Sequence, residues 1–244
     1  MGDATAAHAC PIEGSFVGSG SGKKLATYEW PCSRAGAKAS RHRGCVVSLH
    51  GHAVHTRFEF LLPTEDGGIH EQYEGSWIHM LNAAGYSFHG FDLVGHGRSE
   101  YIDGMQCYFK RFDDLANDSL DFVRLVKAQQ CEKGEELPVF LLGESLGGGI
   151  AVRCATLDPD VCSGLVLTAP MLTLEKLARK GCNPYLRPFA SLLSRITPGA
   201  QMAAVERNTK FPLRQLEMDR DPENYSGKGK LTRVRVAAEV HIDT

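Results

Sequence analysis

Gly143-Glu144-Ser145-Leu146-Gly147 is the stretch whose residue types and spacing spell out a reaction. A serine hydroxyl can attack a carbonyl only if it stands clear of its own backbone and has donors nearby for the negative charge that develops. Leu137 to Leu142 is a short apolar run of strand length, and Ile150-Ala151-Val152 and Cys154-Ala155 resume at helical spacing after the glycines. Ser145 therefore falls at the apex of a tight strand-to-helix turn, where Gly143 and Gly147 let the chain pass and the Leu146 N–H, opening the helix, faces any oxyanion formed. Taken alone, the pentapeptide also fits a glycine-rich turn with an incidental serine.

A second fixed point is Cys45-Val46-Val47-Ser48-Leu49, an apolar strand that ends in His50-Gly51-His52-Ala53. Gly51 permits a sharp turn at the strand end and leaves the backbone N–H of His52 to face the elbow as a second oxyanion donor. His50, His52, His55 and His70 invite a metal reading, but no His-x-x-x-His spacing or paired cysteines accompany them, so they are expected to be solvated loop histidines and no metal is assigned. Asp92 ends another strand, Tyr86 to Asp92, ahead of Leu93-Val94-Gly95-His96-Gly97-Arg98-Ser99. It precedes Ser145, whereas the acid partner of an elbow serine follows it, so Asp92 reads as a loop-ordering carboxylate.

The elements that must position these residues alternate. Ser15 to Val17 and Lys24 to Trp30 read as a hairpin around the tract Gly18 to Gly22, which lacks the first glycine and the Ser or Thr of a phosphate loop. Helices are expected over Trp77 to Ala84, with Trp77, Ile78, Leu81 and Ala84 on one face, and over Phe112 to Cys131, capped by Asp113 or Asp114. The elbow helix runs to Leu157, and Gly164 to Pro170 is another buried strand. Strand and helix in this order specify an α/β fold, a mostly parallel sheet with helices on both faces. Beyond Pro170, Met171 to Ala178, Leu186 to Ile196 and Met202 to Val205 are short amphipathic pieces with no strand between them, an excursion expected to cover the elbow. Its leucines could line an apolar pocket or simply pack on the domain.

The 244 residues are 43% hydrophobic and 23% charged with a net charge of −2, which fits one globular domain and gives no reason to expect a nucleic-acid partner. Eight cysteines without any C-x-x-C pair suit a reduced, cytoplasmic setting, and no run approaches a spanning helix.

In order, Leu49-His50-Gly51, Gly90-Phe91-Asp92 through His96-Gly97-Arg98-Ser99, Leu142-Gly143-Glu144-Ser145-Leu146-Gly147-Gly148 and Leu167-Thr168-Ala169-Pro170 resemble the α/β-hydrolase fold, most closely the monoacylglycerol lipase-like serine hydrolases with their serine aminopeptidase and lysophospholipase-like kin. Residues 1–14 read as a loose leader, and the resemblance, which begins at about residue 15, implies a core over 15–170, a cap over 171–230 and a return toward the core over 231–244. It implies Ser145 as nucleophile, the His52 and Leu146 N–H groups as oxyanion hole, Glu144 tuning the turn where relatives carry histidine, and no cofactor. The substrate implied is a small lipid ester such as a monoacylglycerol, and a capped apolar pocket suggests peripheral membrane contact through the cap. A lysophospholipase, small-ester esterase or acyltransferase is the near alternative. In that family an acid and then a histidine follow the cap on two further strands. Here the acids after Ser145 include Asp158, Asp160, Asp219, Asp221 and Asp243 and the only later histidine is His241; for an Asp221–His241 pair a single element cannot replace two strands and a crossover, and the chain reads as C-terminally truncated. A catalytically impaired lipid- or partner-binding remnant is therefore the competing class.

Overall fold

The computed structural model describes residues 10–32, 42–65, 67, 69–172, 195–204, 209–226 and 231–239. Within them β1 (Ile12–Val17), β2 (Lys24–Trp30), β3 (Gly44–Leu49), β6 (Tyr86–Phe91), β7 (Val139–Glu144) and β8 (Gly164–Thr168) form one sheet in the order β1-β2-β6-β3-β7-β8. The last four in that order run parallel and the β1–β2 hairpin joins antiparallel at one side. This is the mixed, mostly parallel sheet that the alternating pattern implied. A lesser ribbon pairs β4 (Leu62–Pro63) with β5 (His70–Gln72).

Both faces of the central strands are buried, which is why they read as unbroken apolar runs, whereas β8, read from the sequence as buried, is half exposed at the edge. Cys45, Val47 and Leu49 of β3 and Leu141 of β7 pack with α3 (Phe112–Glu132) and α4 (Leu146–Leu157) through Leu115, Val123, Val126, Ile150 and Cys154. On the other face Val46, Phe88 and Leu142 meet Phe60 of α1 (Thr56–Phe60) and Ile78 of α2 (Trp77–Ala83). Because successive residues of a strand point oppositely, Val46 and Val47 serve different cores.

Local departures from the sequence reading have physical causes. β1 begins at Ile12, so residues 12–14 belong to the hairpin rather than to a leader. Trp77 is half exposed and Ala84 lies at the surface, because Ser76 caps α2 by accepting from His79 N–H and sets a register in which Ile78 and Asn82 face inward. Asn82 compensates for its burial by bonding Tyr73 Oη, Trp30 O and Tyr86 O. Neither Asp113 nor Asp114 caps α3. The cap residue is Arg111, and the two carboxylates lie in the first turn, where the helix dipole favours them.

The Gly18 tract turns its N–H groups onto the protein's own carboxylates. Gly20 and Ser21 donate to Asp118 Oδ1 and Ser19 donates to Asp121 Oδ2, so the turn is filled from α3.

Much of the expected cap, residues 173–194, 205–208 and 227–230, lies outside the described residues. Among those described, a strand does intervene: Gln201–Ala204 pairs antiparallel with Leu231–Arg233. Helices cover Pro212–Arg220 and Val234–Glu239.

Candidate active site

Ser145 stands between the end of β7 and the start of α4 with φ 50° and ψ −113°, a backbone conformation L-residues rarely adopt. Holding it costs about 1–3 kcal/mol, which the surrounding bonds must offset. The Ser145 N–H donates to Thr168 O at 3.0 Å, and its carbonyl accepts from Gly148, Gly149 and Met171 at 2.8–3.2 Å. The glycines are steric necessities: a Cβ on Gly147 would lie 2.0 Å from Leu49 O, and one on Gly143 2.5 Å from Gly147 O. The elbow helix therefore sits directly against the end of β3.

That contact brings the β3 loop beside the serine. The site of a Cβ on Gly51 is 3.5 Å from Ser145 Cβ and 3.3 Å from Glu59 Oε2. His52 follows at once in the chain, and Leu146 opens α4 directly after Ser145. Among the described residues Ser145 Oγ makes no hydrogen bond to a histidine or a carboxylate.

The expected loop histidines are not solvated. His50 is fully buried, donating from Nδ1 to Gly51 O at 2.8 Å and accepting at Nε2 from Leu93 N–H at 2.9 Å, so it ties the β3 loop to the loop after β6. Burial lowers its pKa to about 4, which keeps the ring neutral and able to accept. His70 is buried against Phe58 with ring centroids 4.2 Å apart. His52 is half-buried, and burial followed by the neighbouring His50 lowers its pKa to about 4.

Asp92 is wholly buried and gathers three segments. It accepts from Tyr28 Oη at 2.7 Å, Thr56 N–H at 2.9 Å and Arg98 N–H at 3.0 Å. The Tyr28 phenol is pushed well up, by burial first and then by this carboxylate. Asp92→Asn turns one accepting oxygen into a donor facing these donors. It is expected to cost about 2 kcal/mol in urea unfolding, and a loss below a few tenths would remove Asp92 from this role.

Asp221, the sequence candidate for a triad acid, is committed elsewhere. His55 Nε2–H donates to Asp221 Oδ2 at 3.2 Å, with both side chains buried, and Glu223 N–H donates to Oδ1 at 2.9 Å. Burial opposes ionisation of Asp221, but the His55 hydrogen bond and charge and the Glu223 N–H outweigh it and hold its carboxyl below the usual range. Around this pair Arg57 and Arg98 both bind Glu223, and Tyr225 N–H donates to Ala53 O. Asp221 thus docks the 211–226 segment on the β3–α1 loop. His241, its proposed partner, lies outside the described residues.

Sequence reasoning missed Glu59. Burial, then the charge and hydrogen bond of Glu144, raise its pKa to about 8. No local motif links residues 59 and 144, so only the fold could bring the pair together. A raised carboxyl pKa means the native state keeps a proton that the unfolded chain releases above pH 4.5. Stability therefore falls as pH rises from about 4.5 to 8. Glu59→Gln mimics the protonated form and is expected to flatten this slope in thermal unfolding between pH 5 and 9. An unchanged slope would assign the proton elsewhere.

Comparison with known proteins agrees with this architecture. The chain matches the Hydrolase_4 family (serine aminopeptidase, S33) over residues 68–241. It is 30% identical to the caffeoylshikimate esterase of Arabidopsis thaliana over 155 residues, which are 62% of this chain and 45% of that protein. It is 28% identical to the monoacylglycerol lipase of Mycolicibacterium smegmatis over 184 residues, 74% of this chain and 52% of that one. The chain thus spans about half the length of these curated relatives. A soluble variant of monoglyceride lipase from Saccharomyces cerevisiae, solved with a substrate analog, superposes with a TM-score of 0.67 at 19% identity, covering 95% of this chain and 67% of that one. With strand order and family match in agreement, the chain belongs to the serine aminopeptidase S33 (Hydrolase_4) family and carries its α/β-hydrolase fold.

Proposed function

We propose that this chain carries the acyl-transfer site of a serine carboxylic-ester hydrolase acting on lipid esters, with monoacylglycerols as the substrate class. The carrying observation is the conformation of Ser145, a strained non-glycine residue between a parallel strand and a helix, held by four backbone hydrogen bonds. The names of the relatives, a monoacylglycerol lipase and a caffeoylshikimate esterase, support ester cleavage. In this reading Ser145 Oγ loses its proton to a base and bonds to the ester carbonyl carbon, and the carbonyl oxygen takes up negative charge against the His52 and Leu146 N–H groups. Collapse expels the alcohol, which takes up a proton. Water then repeats the attack on the acyl-serine and frees the acid. This chemistry calls for no cofactor.

One observation favours a second reading. Among the described residues no histidine reaches Ser145 Oγ, and loss of a general base lowers turnover on the order of 10⁶-fold. A chain working without one would bind a lipid ester without turning it over.

Labelling the purified 244-residue chain with a fluorophosphonate, followed by hydrolysis of a medium-chain monoacylglycerol, separates the two. Stoichiometric labelling at Ser145 with turnover is the expected result. Labelling without turnover establishes the second reading, and a folded chain that does not label overturns the hydrolase reading.

A further inference from the structure

The His52 side chain has no part in the ester chemistry, which uses only its backbone. Its Nδ1 is buried and has no hydrogen-bond partner among the described residues. Close by stands His96, 2% exposed, with ring centroids 5.6 Å apart and planes at 72°. His96 donates from Nδ1 to Val94 O at 2.9 Å, which fixes the tautomer and leaves a lone pair on Nε2. That Nε2 is also buried without a partner among the described residues. A lone pair so placed, with the opposite ring nitrogen anchored on a carbonyl, is the usual state of a metal-binding imidazole. The third member is Cys107, 4% exposed, whose N–H donates to Gly95 O at 2.8 Å and whose φ of 51° is unusual for a residue other than glycine. One ligand atom from each of the three residues lies within 4.8 Å of the other two.

We propose that His52, His96 and Cys107 form a binding site for a thiophilic metal ion of the zinc class, placed so that its occupation restrains the loop beside the Ser145 elbow. Two imidazoles and a thiolate are ligands such an ion prefers, and they fill three corners of a tetrahedron. Bonds of about 2.0–2.3 Å set ligand atoms about 3.4–3.8 Å apart in that geometry, so the widest separation has to close by about 1 Å. Side chains supply that movement, but His52 sits on the Gly51-His52-Ala53 turn, and its backbone moves with it. No short-range motif announces the site, because the three ligands come from the loop after β3 and from two turns of the loop after β6.

Titration of the folded chain with Co²⁺ provides the test. The expected result is a thiolate-to-cobalt charge-transfer absorption that saturates at one ion per chain, disappears on addition of equimolar Zn²⁺, is absent in Cys107→Ser, and needs at least about tenfold more metal in His96→Gln. No such band in the folded wild-type chain overturns the site, whatever the variants do. A band that persists in a folded Cys107→Ser variant overturns it as well. The restraint on the elbow rests on the proposed acyl-transfer reading and has its own readout. Saturating Zn²⁺ should slow fluorophosphonate labelling of the wild type and leave Cys107→Ser labelling at its metal-free rate. Equal wild-type rates with the site filled overturn the restraint. No labelling even without metal counts against the hydrolase reading alone, and the cobalt band then still decides the site.

Discussion

A Gly147→Ala chain is expected not to reach the native state, or to lose more than about 3 kcal/mol of stability in urea unfolding. The added Cβ would lie 2.0 Å from Leu49 O, 2.5 Å from Leu49 C and 2.8 Å from His50 O. All three are backbone atoms, so no rotamer change relieves the contact, and only moving α4 off the end of β3 would. That separation would also break the register that sets the β3 loop beside Ser145. Gly104→Ala is the control. Gly104 has φ 69° with nothing within 4 Å of the added atom, so that variant pays the backbone cost of a left-handed residue, about 1 kcal/mol, and no steric cost. If Gly147→Ala unfolds within about 1 kcal/mol of the parent, close packing is not what makes glycine necessary there.

The contrast shows which parts of the site are legible in a sequence. The Ser145 turn is encoded within a few residues: an apolar strand, glycines where backbones approach, an apolar helix. The strand Gly44–Leu49 is similarly local, because continuous burial on both faces leaves no alternating pattern to misread. The residues around the serine are another matter. His55 and Asp221 are 166 positions apart, and Glu59 of α1 meets Glu144 at the end of β7, so neither pairing leaves a trace in spacing. Asp221 therefore reads as a free acid following Ser145, although the fold has already committed it to His55. Trp77 misleads for a smaller reason: the Ser76 cap fixes the helix register, and the true inward residue, Asn82, is polar. The histidine loop misleads because composition suggests solvent, whereas the crossing of the β3 and β6 loops buries His50 and His96 between them.

Replacing Ser145 by glycine is expected to separate stability from chemistry. With φ 50° and ψ −113° the serine is in backbone territory that glycine enters freely. Relief of about 1–3 kcal/mol of strain, less the entropy that glycine adds to the unfolded chain, leaves a net gain of about 1 kcal/mol. Ser145→Ala removes the same hydroxyl and keeps the strain, so it should show no such gain. Both variants should lose fluorophosphonate labelling completely, and any triad-dependent turnover should fall on the order of 10⁶-fold. The pair of measurements assigns each half of the claim. Equal unfolding midpoints for the glycine and alanine variants would mean that the elbow stores no backbone strain. Labelling that survives in either would place the reactive nucleophile elsewhere. The expected pattern, a glycine variant more stable than the parent yet inert, would mean that the fold holds Ser145 in this conformation at the expense of its own stability. Such a cost persists where a hydroxyl has to be presented at the end of the sheet, beside the loop that carries His52 and the start of α4.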